Sequence, residues 1–339
     1  MNDRANRISN GFPNRRQFLY GSAISALAAG RLQASQTPRS DSKSKLGIGL
    51  IADVHKDIIH DADDRLKTFV DAMIAAKADA IVQLGDFCIP KPANQPFLDI
   101  FRRFPGPQFH VLGNHDTDGG FSREQAVNFL GMPARFYAFD LGGLHFVVLD
   151  ANDRPPGHKS GYPKFVAPEQ LDWLERDLAR TSLDTFVISH QSLERPACIV
   201  NQADVRAILD RARHCGGRRK VVACLNGHWH IDHSRVIDEI PYVHINSASY
   251  VWIDDPGRRG PRLDAELSKR FPYVASTIPY RGPLFSTLEI DLAQGHFEIR
   301  GRSSEWLGPG PRAIGYDPAG YPADSLFPGI RTRNFEIGG

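Results

Sequence analysis

The chain has 339 residues, 41% of them hydrophobic and 24% charged, which is enough for one large globular domain or two small ones. Its formal net charge is only +2, and five arginines against one aspartate fall within residues 1–34, so the remainder is slightly acidic. This balance predicts no basic face for docking nucleic acid. The four cysteines have no C-x-x-C spacing, which favours buried thiols over a disulfide scaffold or a structural zinc site.

The N-terminal segment combines two adjacent arginines with a short apolar run. Arg15 and Arg16 lie just before Phe18-Leu19, and residues 18–29 are apolar and rich in Ala and Gly. A run of about 12 residues is too short for a transmembrane helix, which needs about 20. The pattern predicts a twin-arginine signal peptide over residues 1–34 and a polar linker over 35–45. The expected partner is the twin-arginine translocase and the expected location is periplasmic or otherwise extracytoplasmic; the alternative is a disordered basic tail.

The first part of the body alternates strands with helices. Short apolar runs predict buried strands at 46–52, 80–84 and 109–112. The helical spacing of Leu66, Phe69, Val70 and Met73 predicts a helix over 63–76. Shorter helices are expected at 96–103 and 122–130.

The rest of the body continues the alternation and ends in strands. Gly142-Gly143 predicts a hairpin between strands at 136–140 and 144–150. Helices are expected at 168–178 and 201–214, and strands at 185–189, 220–225, 235–237, 242–247, 284–291 and 296–300. This order predicts an α/β fold over residues 46–301, in which two β-sheets pack face to face with helices outside, as a four-layer α/β/β/α sandwich. Residues 302–339, rich in Gly and Pro, are expected to wrap over that domain.

Side chains that commonly bind metals follow the predicted buried strands. They are Asp53, His55, Asp86, Asn114, His190, His228 and His230. Ligands gather at the carboxyl ends of strands in such sheets, so we expect these side chains to converge. The spacing of Asp53/His55 and of His228/His230 would place each pair on one side of an extended backbone. Imidazole, carboxylate and amide donors without thiolate predict divalent Mn, Fe, Zn or similar ions, and seven ligands suit two metals.

The whole series of motifs resembles the calcineurin-like metallophosphoesterase superfamily. It consists of Asp53-Val54-His55, Gly85-Asp86, Gly113-Asn114-His115-Asp116, Ser189-His190 and Gly227-His228-Trp229-His230. The resemblance implies a first metal held by Asp53, His55 and His230, and a second held by Asn114, His190 and His228. It also implies that Asp86 bridges the two metals and that a bridging hydroxide attacks phosphorus in line.

His115 and Asp116 complete the resemblance without being metal ligands. The resemblance implies that His115 donates a proton to the leaving oxygen or stabilises phosphoryl charge, and that Asp116 holds its tautomer. Purple acid phosphatases carry a Tyr three residues after the bridging Asp, where this chain has Ile89. A ferric site with a tyrosinate ligand is therefore not expected.

Substrate contacts are predicted from loops near the motifs. His158 and Lys159 lie in the loop 152–164, and Asn246 follows the last metal motif, so each is a candidate for substrate binding. Trp252 is expected to be a packing residue, with stacking on a nucleobase as the alternative. Arg258, Arg259 and Arg262 are expected to form a solvated charge run rather than a grip on an anionic substrate.

The predicted function is hydrolysis of small phosphate esters, either monoesters or diesters. Alternatives within this class are a 3′,5′-cyclic-nucleotide phosphodiesterase and a pyrophosphatase acting on nucleoside diphosphate compounds. A more distant alternative is a non-catalytic binding protein of the same fold. The H-x-H-x-D-H cluster of metallo-β-lactamases is absent. The export signal favours scavenging of phosphate from organic esters outside the cytoplasm.

Overall fold

Fourteen strands and six α-helices make up the regular structure of the computed structural model, which describes residues 44–195, 198–253, 265–318 and 320–337. The strands are β1 (Lys45–Ile51), β2 (Ala80–Gln83), β3 (Gln108–His110), β4 (Tyr137–Leu141), β5 (Leu144–Leu149), β6 (Thr185–Ser189), β7 (Val221–Asn226), β8 (His233–Ile237), β9 (Ile240–His244), β10 (Tyr250–Trp252), β11 (Thr277–Pro279), β12 (Ser286–Asp291), β13 (His296–Arg300) and β14 (Arg333–Glu336). The helices are α1 (Ala62–Ala75), α2 (Gln95–Phe101), α3 (Arg123–Leu130), α4 (Pro168–Arg180), α5 (Gln202–Arg211) and α6 (Ala265–Arg270).

Two mixed six-stranded sheets form the centre of the fold. The first has the order β14-β13-β12-β1-β2-β3, in which β1, β2 and β3 are parallel and the others antiparallel. The second has the order β4-β5-β6-β7-β9-β8, in which β5, β6, β7 and β9 are parallel between antiparallel edge strands. Within each sheet, the carboxyl ends of the parallel strands meet at one edge, where the predicted ligands begin.

The core is divided between the interface of the two sheets and their outer, helix-covered faces. Phe186 of β6 meets Phe297 of β13 edge to face, with ring centroids 5.2 Å apart, so the sheets pack directly on each other. On the outer face of the first sheet, a methyl group at Gly49 would lie 2.4 Å from Met73 Sδ, which shows how closely α1 covers β1. Leu174 of α4 and Leu209 of α5 belong to a second apolar cluster on the second sheet. The predicted two-sheet sandwich flanked by helices is therefore confirmed.

Several elements were not predicted. The short ribbon of β10 and β11 and the helix α6 lie in stretches left without assignment. β14 lies inside the Gly/Pro-rich segment expected to be a coil, yet it pairs with β13 and stacks Phe335 on Phe297 at 4.9 Å. A four-residue strand changes the average composition of a 38-residue segment too little to be predicted from that composition.

The proposed export signal, with Arg15 and Arg16, lies outside the described residues, as do Arg258, Arg259 and Arg262. In the described part of the chain, no helix combines the length and the apolar character needed to cross a membrane.

Candidate metal centre

The seven predicted ligands extend from turns that directly follow five strands. β1 leads to Asp53 and His55, β2 to Asp86, β3 to Asn114, β6 to His190, and β7 to His228 and His230. Six of the seven form two triplets in which the potential ligand atoms lie within 4.8 Å of one another. The first triplet is Asp53, His55 and His230, and the second is Asp86, His190 and His228.

The first triplet directs imidazole lone pairs inward. His55 Nε2 lies 3.2 Å from His230 Nε2, which in turn lies 3.3 Å from Asp53 Oδ1. His230 Nδ1 is 2.7 Å from the carbonyl oxygen of Tyr250, so it carries the proton and donates it there. The Nε2 lone pair of His230 therefore faces the triplet, as metal-binding histidines require.

The second triplet repeats this arrangement. His190 Nδ1 donates to the carbonyl oxygen of Leu84 at 2.8 Å, so its Nε2 is the ring nitrogen that faces the centre. That Nε2 lies 3.1 Å from Asp86 Oδ2 and 3.2 Å from His228 Nδ1. A carboxylate and two imidazoles thus converge on one point.

Asp86 connects the two triplets. Its Oδ2 lies 3.7 Å from His55 Nε2 in the first triplet and 3.1 Å from His190 Nε2 in the second. Its Oδ1 accepts a hydrogen bond of 2.8 Å from the backbone N–H of His115, which fixes the plane of the carboxylate. One carboxylate therefore faces both clusters at once.

The donor set fits divalent cations. Asn114 lies between Gly113 and His115, both next to Asp86, and its buried Oδ1 has no hydrogen-bond partner among the described residues. A buried, unpaired amide oxygen costs free energy unless a cation satisfies it. Burial, opposed by Asp86, holds the pKa of His55 well below its usual value and so keeps it neutral for coordination. Burial also lowers the pKa of His190, but Asp86 and Asp53 outweigh this effect and raise it to about 9, so a bound cation must displace that proton.

Five of the seven ligands have a left-handed backbone conformation. Their φ angles are 51° at Asp53, 53° at His55, 52° at Asp86, 72° at His228 and 52° at His230. This conformation is uncommon outside glycine and costs free energy. The prediction that each i, i+2 pair converges through extended backbone is therefore wrong. The strands end at Ile51 and Asn226, and left-handed turns bring the pairs together.

Glycines allow the ligand turns to approach one another. A Cβ atom at Gly113 would lie 2.1 Å from the backbone nitrogen of Asp86, and one at Gly227 would lie 2.5 Å from Asp53 Oδ2. Real Cβ atoms do not come this close, so these two positions require glycine for contact between the loops.

His115 lies beside the centre and is held by residues other than those predicted. Its Nδ1 lies 2.7 Å from Asp118 Oδ2 and 3.0 Å from the hydroxyl of Tyr162, which itself donates to Asp118 Oδ1 at 2.9 Å. Because Nδ1 is engaged, Nε2 is the nitrogen left to act on a substrate. Neither Asp118 nor Tyr162 was predicted: the contact of Asp118 depends on the conformation of the turn after β3, and that of Tyr162 on how the 152–164 loop folds back.

Asp116 has a different role from the one expected. Its Oδ1 accepts from the backbone N–H groups of Phe87 and Cys88 at 2.7 and 3.0 Å, and its Oδ2 accepts from that of Gly113 at 2.8 Å. These bonds join the turn after β2 to the turn after β3. The prediction that Asp116 orients the imidazole of His115 is therefore wrong, because both of its oxygens are committed to backbone amides.

A cavity of about 500 Å³ opens beside the centre. Its lining includes His55, Lys56, Asp57, Ile58, Asp86, Phe87, Cys88, Ile89, His115, Asp118, Tyr162, Trp252 and Tyr273. Cys88 belongs to neither ligand triplet, and burial raises the pKa of its thiol well above the usual value. Trp252 was expected to be a packing residue; it does pack against the main core, and it also forms part of the cavity wall.

The predicted substrate-binding residues do not line this cavity. His158 Nε2 bonds to the carbonyl oxygen of Gly161 at 3.1 Å, and Lys159 is exposed; their loop contributes Tyr162 to the cavity instead. Asn246 is fully buried and donates to the carbonyl oxygens of Phe327 and Gly329 at 2.9 and 3.1 Å. Its amide anchors the C-terminal segment, so the structure gives it no contact with the cavity.

Two solved structures resemble this fold over most of their length. A dimetal phosphatase from Danio rerio is 16% identical, with a TM-score of 0.54, and the match covers 77% of this chain and 98% of that one. GAP50, the anchor in the inner membrane complex of Plasmodium, is 14% identical, with a TM-score of 0.54 and coverage of 88% and 90%. At these identities the similarity concerns the fold alone. No curated protein sequence matches the chain.

The sequence itself matches the family model described as calcineurin-like phosphoesterase over residues 46–232. The match spans more than half of the chain and contains all seven candidate ligands. The chain therefore belongs to the calcineurin-like phosphoesterase family.

Proposed function

We propose that this chain is a hydrolase of small phosphate esters that works with two divalent metal ions. The observation that carries the proposal is the pair of ligand triplets joined by Asp86 Oδ2. Asp53, His55 and His230 would hold one ion. Asn114, His190 and His228 would hold the other, and Asp86 would contact both.

The chemistry divides between the metal ions and His115. When bound, such a pair supplies positive charge for the phosphoryl group and lowers the pKa of a water molecule toward neutrality. His115 would give its Nε2 proton to the leaving oxygen as the P–O bond breaks. Asp118 keeps the other ring nitrogen protonated by accepting its hydrogen bond, and so holds the ring in one tautomer.

The non-catalytic alternative has to be weighed because the fold also serves as an anchor in Plasmodium GAP50. A pure scaffold has no need for buried imidazole lone pairs, an unpaired Asn114 oxygen and five residues in a costly backbone conformation. These features favour catalysis. Monoester, diester and cyclic-nucleotide substrates are all compatible with the donor set.

Paired variants test the assignment on protein reconstituted with metal. Asp86→Ala should lose bound metal and hydrolysis together, because both triplets share this carboxylate. His115→Ala should keep its metal and lose turnover. Asp99→Ala, an exposed carboxylate on α2, is the control and should retain both. The measurements are metal content by elemental analysis and hydrolysis of a phosphomonoester, a phosphodiester, a cyclic nucleotide and a diphosphate. Unchanged turnover in Asp86→Ala and His115→Ala would refute the proposal.

We also propose that the protein is exported through the twin-arginine pathway and scavenges phosphate outside the cytoplasm. Supporting this is the pattern of Arg15 and Arg16 before an apolar run. Replacing both arginines with lysine should retain the precursor inside the cell, whereas the same change at Arg4 and Arg7 should not. Cell fractionation locates each variant. Normal export of the Arg15/Arg16 variant would count against this route.

A further inference from the structure

Three of the aromatic side chains that line the cavity beside the metal centre are exposed or half-buried. Tyr162 comes from the loop between β5 and α4, Trp252 from the end of β10, and Tyr273 from the turn after α6. Tyr162 is 42% exposed and Tyr273 is 65% exposed, and they are two of the five exposed large hydrophobic side chains among the described residues. Exposed rings gathered at one opening indicate a binding surface.

The charged side chains around the cavity already have partners. Lys56 Nζ lies 2.6 Å from Asp63 Oδ2, and Asp57 Oδ1 lies 2.6 Å from Lys91 Nζ. Asp118 accepts hydrogen bonds from His115 and Tyr162. Among the described lining residues, Lys56 is the one lysine or arginine, so no unpaired cation is left to bind a second phosphate. Within the described lining, the rings are therefore the groups still available to the part of the substrate beyond the phosphoryl group.

Two of the rings are held in place before any ligand arrives. The hydroxyl of Tyr162 donates to Asp118, and its ring packs on His115 with centroids 4.7 Å apart. The ring of Trp252 stacks on His115 at 6.0 Å and meets Tyr250 edge to face at 5.0 Å. Rings fixed in this way lose little conformational entropy when a ligand binds.

Resting on the proposed hydrolase activity, we propose that the alcohol portion of the substrate carries a flat aromatic ring that stacks in this cavity against Tyr162, Trp252 and Tyr273. The same wall that holds His115 would then position the ring, which places the leaving oxygen close to the proton donor. A nucleobase and a simple aryl group share this chemistry, and the experiment separates them.

Matched pairs of esters with similar leaving oxygens test the proposal. Adenosine 5′-monophosphate is compared with ribose 5-phosphate, and 2-phenylethyl phosphate with 2-cyclohexylethyl phosphate. We expect kcat/KM to favour the ringed member of at least one pair by about tenfold or more, as base–aromatic stacking implies. If the enzyme prefers the ringed ester in the first pair alone, the cavity binds a nucleobase. If it also prefers the ringed ester in the second pair, the cavity accepts any aryl ring.

Variants of Tyr273 assign the preference to the cavity. No hydrogen bond or ring contact joins Tyr273 to the ligands or to His115 in the described structure, so Tyr273→Leu should change ribose 5-phosphate kinetics far less than those of the ringed ester. It should raise KM for the preferred ringed ester by about threefold to tenfold, the usual worth of an aromatic pair. Tyr273→Phe retains the ring and should behave like the wild-type protein.

A binding measurement separates this inference from the hydrolase proposal. Calorimetric titration with adenosine and with phenylethanol, using ribose as control, detects stacking whether or not any ester is hydrolysed. Binding of either ringed compound, weakened by Tyr273→Leu, supports the aromatic site. No ring preference in kinetics or binding overturns it while leaving the phosphoesterase activity intact. Hydrolysis of none of the esters counts against the proposed function instead.

Discussion

At the scale of single residues, the ligands were predictable and their supporting contacts were not. Each ligand follows an apolar run that predicts a strand, and in the structure Asp53 and Asp86 lie at the carboxyl edge of the first sheet and His190 at that of the second. The partner of His115 could not be found this way. Asp116 is the neighbour in sequence, but the turn after β3 directs it to backbone amides, and Asp118 reaches the imidazole instead.

Asp118→Asn tests this reassignment. An amide in place of the carboxylate no longer accepts a charge-assisted bond from His115 Nδ1, so proton donation by Nε2 should weaken. We expect kcat to fall by about 10–100-fold, with the largest losses for esters that have poor leaving groups. The measurement is the dependence of kcat on leaving-group pKa.

Asp116→Asn is the matched control for that variant. Asparagine keeps one acceptor oxygen but turns an NH2 donor toward a backbone N–H, so this variant should lower stability and metal retention rather than steepen the leaving-group dependence. If Asp116→Asn steepens that dependence and Asp118→Asn does not, the original assignment from the family pattern is the correct one.

At the scale of secondary-structure elements, long periodic segments were predicted well, whereas three short strands were missed. The strand at 185–189 and the helix beginning at residue 62 or 63 follow from apolar periodicity because their buried faces determine their pattern. β10, β11 and β14 have three or four residues each, which is too short for a period to appear. They form because tertiary contacts supply the pairing.

His145 links three elements and gives the fold a predicted dependence on pH. This β5 side chain bonds to Asp140 of β4 at 2.6 Å and to Asp177 of α4 at 2.8 Å. Burial lowers the pKa of His145, but the bonds to Asp177 and Asp140 outweigh this effect and raise it. A raised pKa in the folded state stabilises the protein below the unfolded value of about 6.5, and this contribution is lost as pH rises through the folded pKa.

His145→Gln should therefore be less stable than the wild-type protein mainly below pH 6.5, with a gap that narrows at higher pH. Denaturant unfolding at several pH values measures this gap. His110→Gln is the opposite case: burial, aided by Arg102, lowers the pKa of His110 to about 3, so below pH 6.5 only the unfolded state takes up its proton, and any stability deficit of this variant should shrink as pH falls. A gap for His145→Gln that is constant from pH 5.5 to 8.5 would show that the ion pairs do not stabilise the fold.

At the scale of the whole molecule, the two-sheet sandwich was predictable because alternating strands and helices leave few ways to bury two sheets. The depth of the cavity and the positions of the aromatic rings around it were not predictable from the sequence, because they depend on loops from both halves of the chain. Metal binding should also act on the molecule as a whole, because the seven ligands come from turns after five strands in the two sheets.

Chelation should lower the melting temperature. A cation at 100 times its Kd contributes about 2.7 kcal/mol, which corresponds to about 5 °C in a protein of this size. Differential scanning calorimetry with and without chelator measures the shift, and Asp86→Ala should show almost none. Equal melting temperatures for the wild-type protein in both conditions would contradict a site shared by both sheets.

The left-handed turns have a consequence for how the protein fails under heat. Five ligands that lie close together have strained backbone conformations, which lower local stability. The packing of the two surrounding sheets holds them in these conformations. Warming loosens such segments before the cores give way. Catalysis should therefore disappear several degrees below the melting of the sheets, and should return on cooling for as long as the sheets stay intact.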